Sequence, residues 1–198
     1  MDDRQRLVEL PRHFFSRDPR LVAPELINAV LAGPDGRQGR IVEVEAYCGA
    51  DDPAAHTHRG QTRRNATMFG PPGHMYVYFT YGMHWCANAV CGEEGVGVGV
   101  LIRALEPLAG LEKMRLARPA ARRDTQLCSG PARLAQAMGI TGISDGADLV
   151  TGKGGYRLLR DPSAPTVGLV NTTRVGISKA VAEPWRWYVP GNAHVSVR

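Results

Sequence analysis

"MYVYFTYGMHWCANAV", residues 75–90, decides the fold, because it predicts an antiparallel β-hairpin that turns at Gly82. Side chains in a strand alternate between two faces, so Tyr76, Tyr78 and Thr80 share one face of the first arm. Tyr81 directly precedes the turn, where hairpins usually carry polar residues that meet water. An aromatic ring at this position indicates a functional role for the tip.

The segments on either side of this hairpin predict further strands and a few helices. We expect strands at GRIVEVEAY (39–47) and VGVGVLIRALEP (96–107), and short ones near residues 156–159, 166–170 and 187–189. Helices are predicted over residues 18–33, 107–118 and 129–140, the last with Ser129 as its cap, and residues 48–73 form a long loop. Because hairpins are frequent and strands do not alternate regularly with helices, we predict an α+β fold. Residues 1–198 would form a single domain, a curved, mostly antiparallel sheet flanked by helices, with a protruding hairpin.

Composition excludes several classes of protein. The 198 residues are 43% hydrophobic and 22% charged, which is typical of a globular domain. No apolar run is long enough to cross a bilayer, and the N-terminus has no signal-peptide core, so we expect a cytoplasmic protein without membrane contact.

Four cysteines follow no Cys-x-x-Cys spacing, so disulfides are not expected. His56 and His58 could join Cys86 and Cys91 around a metal, but neither spacing matches a common zinc site. Free cysteines are the favoured interpretation, and we predict no metal and no cofactor.

The basic residues are mostly arginines, and the net charge is +5. Arginine suits bidentate recognition of phosphate, although a modest positive balance alone favours nucleic acid only weakly. Two clusters are more informative. The first contains His58, Arg59, Arg63 and Arg64, and the second contains Arg115, Arg118, Arg122 and Arg123.

The two long strands predict a polar face that could carry chemistry. In 39–47, Val42, Val44 and Ala46 would face a core, and Glu43, Glu45 and Tyr47 would lie opposite. In 96–103, the valines and Ile102 would form the apolar face, and Arg103 would lie opposite beside Gly97 and Gly99, which leave the backbone open to a ligand. If these strands are neighbours, a glutamate could act as a general base toward water with an arginine positioning it. The alternative is a Glu–Arg surface pair with no catalytic role.

The tyrosines add a means of handling a nucleobase. An enzyme that acts on a base in a duplex must remove it from the stack and hold it in a pocket. Tyr81 would serve as the plug in the duplex, the nearby tyrosines as pocket walls and the basic loop as a phosphate contact.

At this point the sequence resembles a known family. VEVEAYCGADDPAAHTHRGQTRRNATMFGPPGHMYVYFTYGMHWCANAV, GVLIRALEPLAG, LCSGPARLAQAMGI and the C-terminal RVGIS and WRWYVPGNAHVSV closely resemble the 3-methyladenine DNA glycosylases of the alkyladenine type. The resemblance covers nearly the whole chain. It implies a monofunctional base-excision-repair glycosylase that flips alkylated or deaminated purines out of duplex DNA, such as 3-methyladenine, ethenoadenine and hypoxanthine. Hydrolysis of the N-glycosidic bond would leave an abasic site.

The resemblance also implies a role for individual residues. Glu45 would be the general base, and Arg103 would hold the attacking water together with a backbone carbonyl near Val175. Tyr47 and Tyr78 would sandwich the flipped base, with His56 at its side, and Asn88 would discriminate against normal guanine. Tyr81 would intercalate, and Arg59, Arg63 and Arg64 would contact the DNA backbone. The partner would be double-stranded DNA containing damaged purines, bound by a monomer associated with the nucleoid.

Several alternatives stay open from the residues alone. Asn88 could be a strand asparagine bonded to a neighbouring loop, and His56 an ordinary loop histidine. His84 departs from the aromatic residue of some relatives, and the HTHRGQTRRN loop is slightly shorter than usual. A lyase would need an amine nucleophile, and the three lysines, Lys113, Lys153 and Lys179, lie outside the predicted pocket segments.

Two rival functions are compatible with parts of this pattern. A non-catalytic binder of distorted or damaged DNA would keep Tyr81 and the arginines but would not need Glu45. An RNA- or nucleotide-directed enzyme would need a cofactor or acyl-donor site, and the sequence contains neither glycine-rich phosphate-loop motif to support one.

Overall fold

The computed structural model describes residues 7–80, 82–165 and 168–197 of the chain. In these residues nine β-strands form one sheet, in which every strand pairing is antiparallel. The α-helices α2 and α4, bounded below, pack against the strands. The predicted α+β fold is therefore confirmed. In chain order the elements are β1 Val8–Glu9, α1 Arg12–Phe15, α2 Pro19–Leu26, β2 Val30–Ala32, β3 Gln38–Tyr47, β4 Met75–Thr80, β5 His84–Cys91, β6 Val98–Ala109, α3 Leu111–Ala117, α4 Pro131–Met138, β7 Arg157–Arg160, β8 Val170–Thr172 and β9 Arg186–Tyr188.

Strand β3 lies at the centre of this sheet. The main order is β1-β7-β2-β3-β6-β5-β4, and β9 pairs with β3 and β8. One side of β3 pairs with β6 over its whole length, and the other side pairs first with β2 and then, at residues 43–45, with β9. The polar stretch of β3 is therefore enclosed by strands on both sides.

The main hydrophobic core lies between the sheet and the helices α2 and α4. Its members include the fully buried Phe15, Leu26, Ile41, Ile102 and Met138. Its buried members run from Leu10 to Leu158, so most of the sheet and its helices share one large cluster.

The predicted hairpin is formed by β4 and β5, which pair in register from Met75 opposite Ala89 to Thr80 opposite His84. Phe79 and Trp85 form a cross-strand aromatic pair with ring centroids 4.7 Å apart. Tyr81 lies outside the described residues.

The helix predicted over residues 18–33 is shorter than expected. Helix α2 ends at Leu26, Asn28 has a positive φ of 70°, and Val30–Ala32 form strand β2. The turn at Asn28 allows the apolar residues after it to pair with β3 and β7, so strand pairing replaces the last helical turns.

The other two helix boundaries also differ from prediction. Strand β6 continues to Ala109, opposite Gln38, so helix α3 begins only at Leu111. Helix α4 begins at Pro131 after Gly130, and Ser129 is not its cap.

The short C-terminal strands are close to their predicted positions. β7 covers the predicted 156–159 region and β9 the 187–189 region, each shifted by one residue. The strand predicted at 166–170 appears instead as β8, Val170–Thr172; residues 166 and 167 are not described.

A β-bulge changes the predicted faces of β3. Ile41 lies opposite Leu105, but Glu43 lies opposite Ala104 and Val44 opposite Ile102, so the register shifts twice. Ile41, Val44 and Ala46 enter the main core, whereas Val42 packs in a second small cluster with Ala104 and Val195. The prediction that Val42 shares a face with Val44 is therefore wrong, because a bulge interrupts the alternation.

Candidate active site

A cavity of about 600 Å³ opens between the β4–β5 hairpin, the 48–73 loop and residues 175–179. This volume lies within the range of pockets that enclose small organic ligands. Five of the six residues predicted for catalysis and base binding line it: Tyr47, His56, Tyr78, Asn88 and Arg103. His84, which had no assigned role, also lines it.

The sixth predicted residue, Glu45, lies directly behind the cavity wall and is fully buried. Its Oε2 accepts a hydrogen bond of 3.0 Å from the Tyr47 hydroxyl and lies 3.2 Å from Nη1 of Arg103. Its Oε1 accepts a bond of 2.7 Å from the backbone N–H of Val175. All three partners line the cavity, so the carboxylate is held at its inner surface by the groups that form that surface.

Burial of Glu45 and Arg103 decides between the two interpretations of their pairing. Arg103 is 6% exposed and Glu45 is 0% exposed. A buried pair is costly to desolvate and has to be held by further hydrogen bonds, unlike a pair on the surface. The surface-pair alternative is therefore wrong for these two residues.

Aromatic rings form a large part of the pocket wall. The rings of Tyr78 and His56 meet edge to face with centroids 4.4 Å apart, and Tyr76 stacks on Tyr78 at 5.6 Å. Burial raises the pKa of Tyr76 to about 12, and it raises the pKa of Tyr47 and Tyr78 further. These hydroxyls therefore stay protonated and able to donate hydrogen bonds at neutral pH.

His56 stands at the rim of the pocket, with its side chain still partly open to solvent. Burial of the ring and the nearby charge of Arg64 lower the pKa of His56 below its ordinary 6.5. At neutral pH the imidazole is therefore mainly neutral, with one nitrogen able to donate and the other able to accept.

Asn88 is buried and faces the pocket from β5. Its side-chain Nδ2 donates to the backbone carbonyl of Tyr76 on the adjacent strand at 3.2 Å. The partner is on the paired strand β4 and not on a loop, as the structural alternative had it. The side chain is therefore fixed in place at the cavity wall.

The 48–73 loop has no β-strand or α-helix and is held instead by buried polar side chains. Asn65 bonds to the backbone at His56, Gly60 and Thr62, and Thr57 donates to the carbonyl of Gly97 at 2.6 Å. The three arginines predicted to contact DNA, Arg59, Arg63 and Arg64, are exposed on this loop.

The second basic cluster is partly neutralised by its neighbours. Arg115 forms an ion pair of 2.7 Å with Asp124, and Arg118 donates to the side chain of Gln136. Burial and the nearby Arg133 lower the pKa of Arg118. Arg122 and Arg123 are exposed.

Gly97, just before β6, and Gly99 within it have a different role from the one predicted. A Cβ on Gly97, whose φ is +77°, would lie 2.6 Å from the ring of Phe69. A Cβ on Gly99 would lie 2.8 Å from the carbonyl oxygen of Ala89 and 3.0 Å from Met68. The missing side chains therefore admit the protein's own loop and strand, and the prediction of ligand approach at these glycines is wrong.

Lys179 also departs from expectation. Together with Gly176, Ile177 and Ser178 it lines the cavity, although the sequence placed it outside the pocket segments. Lys179 is far along the chain from the other pocket residues, so the sequence did not indicate that it lines the cavity. The lysine positions therefore give no ground for preferring hydrolysis over lyase chemistry.

Arg174 is a site residue that the sequence pattern did not indicate. Its guanidinium makes two bonds to Asp52, of 2.5 and 2.9 Å, and both side chains are completely buried. The same guanidinium lies over the rings of Tyr47 and Trp185, 4.7 and 4.9 Å from their centroids. It supports Tyr47 and immediately precedes Val175, whose N–H bonds to Glu45.

Within the described residues, no group of three or more His, Cys, Asp and Glu side chains is arranged to hold a metal ion. Cys86 faces the pocket and Cys91 lies in the main core, on opposite sides of β5. All four cysteines are free. The metal site considered for these cysteines with His56 and His58 is therefore not formed.

No helix in the part of the chain that the structure describes is long and apolar enough to span a bilayer.

A pocket walled by tyrosines, with a buried carboxylate behind it and arginines on the adjoining loop, is compatible with a hydrolase that acts on nucleic acid. Comparison with known sequences agrees with this class. The sequence profile of the methylpurine-DNA glycosylase (MPG) family matches residues 13–193.

Among the similar proteins that carry the name "Putative 3-methyladenine DNA glycosylase", three illustrate the range of identity. The one from Burkholderia lata is 64% identical over 187 residues, which cover 94% of this chain and 90% of the relative. Those from Koribacter versatilis and Methanoculleus marisnigri are 48% and 47% identical, covering 96% of this chain in each case and 94% and 99% of the relatives. The chain belongs to the methylpurine-DNA glycosylase family, and it is a DNA-repair enzyme that hydrolyses N-glycosyl bonds in DNA.

Proposed function

We propose that this glycosylase flips alkylated or deaminated purines out of duplex DNA and hydrolyses their bond to deoxyribose. Its substrates are 3-methyladenine, ethenoadenine and hypoxanthine, and its product is an abasic site. The observation that carries the proposal is the Glu45 carboxylate, which is buried behind an aromatic pocket and bonded to Tyr47, Arg103 and Val175.

In the proposed reaction Glu45 accepts a proton from the attacking water. Arg103 orients this water, and the carbonyl of Val175 contributes a further contact. A water held against C1′ of the sugar needs no metal, because a positioned general base lowers the barrier directly. The cationic 3-methyladenine leaves readily, whereas neutral hypoxanthine requires protonation on its ring.

Recognition of the base follows from the pocket walls. The flipped purine stacks between Tyr47 and Tyr78, and the neutral His56 bonds to its edge. Asn88, fixed by its bond to the carbonyl of Tyr76, crowds the exocyclic amino group of normal guanine. Arg59, Arg63 and Arg64 bind phosphates beside the lesion.

The first test is base release from a panel of duplex oligonucleotides, each containing one lesion, in buffer with a chelator. The wild type releases the free base, and Glu45→Gln reduces the single-turnover rate by about 10²–10⁴-fold while still binding the lesion duplex. Release of the nucleobase by Glu45→Gln at the wild-type rate would contradict the role of Glu45 as the general base. No release by the wild type on any lesion would favour a non-catalytic binder of damaged DNA.

The same reactions show whether the enzyme is monofunctional. A simple hydrolase leaves the DNA strand intact until alkali is added, and borohydride traps no covalent adduct. Because Lys179 lines the cavity, Lys179→Ala is the control. An adduct that is lost in this variant would show lyase chemistry.

Tyr81 is proposed to fill the gap that the flipped nucleotide leaves in the duplex. Tyr81→Ser should weaken binding to a lesion duplex much more than it lowers the melting temperature, since a wedge at a hairpin tip acts mainly on DNA. Binding isotherms and thermal melts measure the two effects. Met83→Ser, an exposed residue of the same tip, is a matched control.

A further inference from the structure

Glu43 is a second buried glutamate, two residues from the proposed general base, and it accepts hydrogen bonds from several parts of the chain. Its Oε1 accepts from Nε of Arg103 at 3.0 Å and from Nε of Arg186 at 2.8 Å. Ser196 donates both its hydroxyl, at 2.9 Å, and its backbone N–H, at 2.7 Å. Glu43 is fully buried, so these donors take the place of water.

Arg103 connects this carboxylate to the proposed catalytic one. Its Nε donates a hydrogen bond to Oε1 of Glu43. Its Nη1, at the other end of the guanidinium, lies 3.2 Å from Oε2 of Glu45. A planar guanidinium held at Nε cannot rotate freely, so the bond to Glu43 sets the direction of Nη1. The register of β3 against β6 shifts between Ile41 and Glu43 and again between Glu43 and Val44, beside this group of side chains.

The far side of Glu43 is closed by β9 and by the end of the described chain. Arg186 on β9 bonds to Glu43 and also donates to the carbonyl of Val197. Val195 packs on Val42 and Ala104 in the second cluster. Residues 195–197 are therefore bound behind the pocket wall, although they are far in sequence from Glu43 and Arg103.

The charges of this cluster indicate that Glu43 does more than fill space in the core. Glu45 and Arg103 alone would already form a neutral pair, and adding Glu43 and Arg186 buries two further charges. Burying such a pair contributes little or nothing to stability compared with apolar side chains. What the pair adds is a rigid orientation for the shared arginine.

We propose that Glu43, held by Arg186 and Ser196, is a positioning residue that fixes Arg103 against Glu45 and the attacking water. Residues 195–197 thus belong to the machinery of base release, although they do not line the cavity. This inference rests on the proposed roles of Glu45 and Arg103.

The test compares Glu43→Gln and Ser196→Ala with the wild type by single-turnover kinetics on a lesion duplex. Glu43→Gln keeps the shape of the side chain but loses its charge, so Arg103 loses its anchor. We expect its rate to fall about 10- to 100-fold, since a displacement of ~1 Å can cost about 100-fold. Ser196→Ala keeps the backbone N–H and should lose less. In both variants the Kd for the lesion duplex stays within about twofold, because the residues proposed to hold the flipped base, Tyr47, His56, Tyr78 and Asn88, are unchanged.

A matched control separates positioning from stability. Asp161→Asn breaks the Arg40–Asp161 ion pair of 2.9 Å, which is partly shielded from solvent and does not line the cavity. This variant should lose thermal stability and retain the wild-type rate per folded molecule. If Glu43→Gln fails to fold, Ser196→Ala still tests the proposal through its rate at unchanged Kd.

The possible outcomes are distinct. If Glu43→Gln folds and reacts at the wild-type rate, the inference is overturned. If only Ser196→Ala folds, a wild-type rate in that variant overturns it. A slow rate at unchanged Kd supports the inference. A Glu45→Gln variant that cleaves normally would overturn the proposed function itself. Loss in Glu45→Gln together with wild-type rates in the other two would overturn only the positioning role.

Discussion

At the scale of single residues, Arg174 shows how one buried side chain can organise the candidate site without lining its cavity. It bonds twice to Asp52 and once to the carbonyl of Ala46, and it lies against the ring of Tyr47. Arginine is required here, because only a planar guanidinium can make a bidentate pair and stack on a ring at once. Its neighbour Val175 is thereby held with its N–H on Glu45.

We expect Arg174→Met to destabilise the protein by about 3–5 kcal/mol, because it leaves the Asp52 carboxylate buried without its cation. Adding Asp52→Ala to this variant should recover part of the loss, since the unpaired charge is then removed. Denaturant unfolding of the two single variants and the double variant measures the coupling. Additive losses would contradict the predicted coupling.

Residue positions at the pocket were predictable from sequence where a side chain lies on a regular strand. Glu45 and Arg103 follow from alternation on β3 and β6, and Tyr76 and Tyr78 from alternation on β4. Arg174 and Lys179 lie in an irregular segment, where no period relates sequence position to direction. Their place beside the pocket depends on the path of that segment.

At the scale of elements, ion pairs join segments of the fold that are distant in sequence. One of these joins helix α1 to the segment before β7, where Arg12 lies 2.6 Å from Asp148. Burial alone would raise the pKa of Asp148, but bonds from Arg12, Thr151 and the N–H of Val150 outweigh it and hold the pKa at about 2.

The lowered pKa predicts how stability changes in acid. A carboxyl whose pKa falls on folding stabilises the protein above its ordinary value of 3.8, and this contribution is lost as the pH falls toward about 2. Asp148→Asn should therefore lower the melting temperature at neutral pH, and its difference from the wild type should shrink between about pH 4 and pH 2. Asp51→Asn, at an exposed position, is the control. A difference that stays constant over this range would contradict the prediction.

Element boundaries were less predictable than element types. The strands at 39–47 and 75–90 lie where the sequence placed them, because alternation and β-propensity act over several residues. Helix α2 stops early because Val30–Ala32 gain strand partners, and α3 starts late because β6 continues beside β3. Both shifts depend on long-range pairing that local pattern does not contain.

At the scale of the whole molecule, the sequence by itself determined the fold class, the hairpin and the polar face that carries Glu45 and Tyr47. It also carried the family resemblance that the comparisons support. Alternation along a strand is a local property, so it can be recognised from sequence alone. The family motifs can also be recognised from sequence alone, because each is a short run of residues that does not depend on the conformation of the loops between them.

Only the tertiary structure decided how the second half of the site is built. It placed the 48–73 loop, residues 174–179 and residues 195–197 around one cavity and its rear wall. It also fitted Phe69 against Gly97 and Met68 against Gly99. It also buried Glu43 beside Arg103 and Arg186. The physical reason is that a bulge, an irregular loop and a pairing between distant segments each depend on contacts across the molecule, which no local pattern encodes.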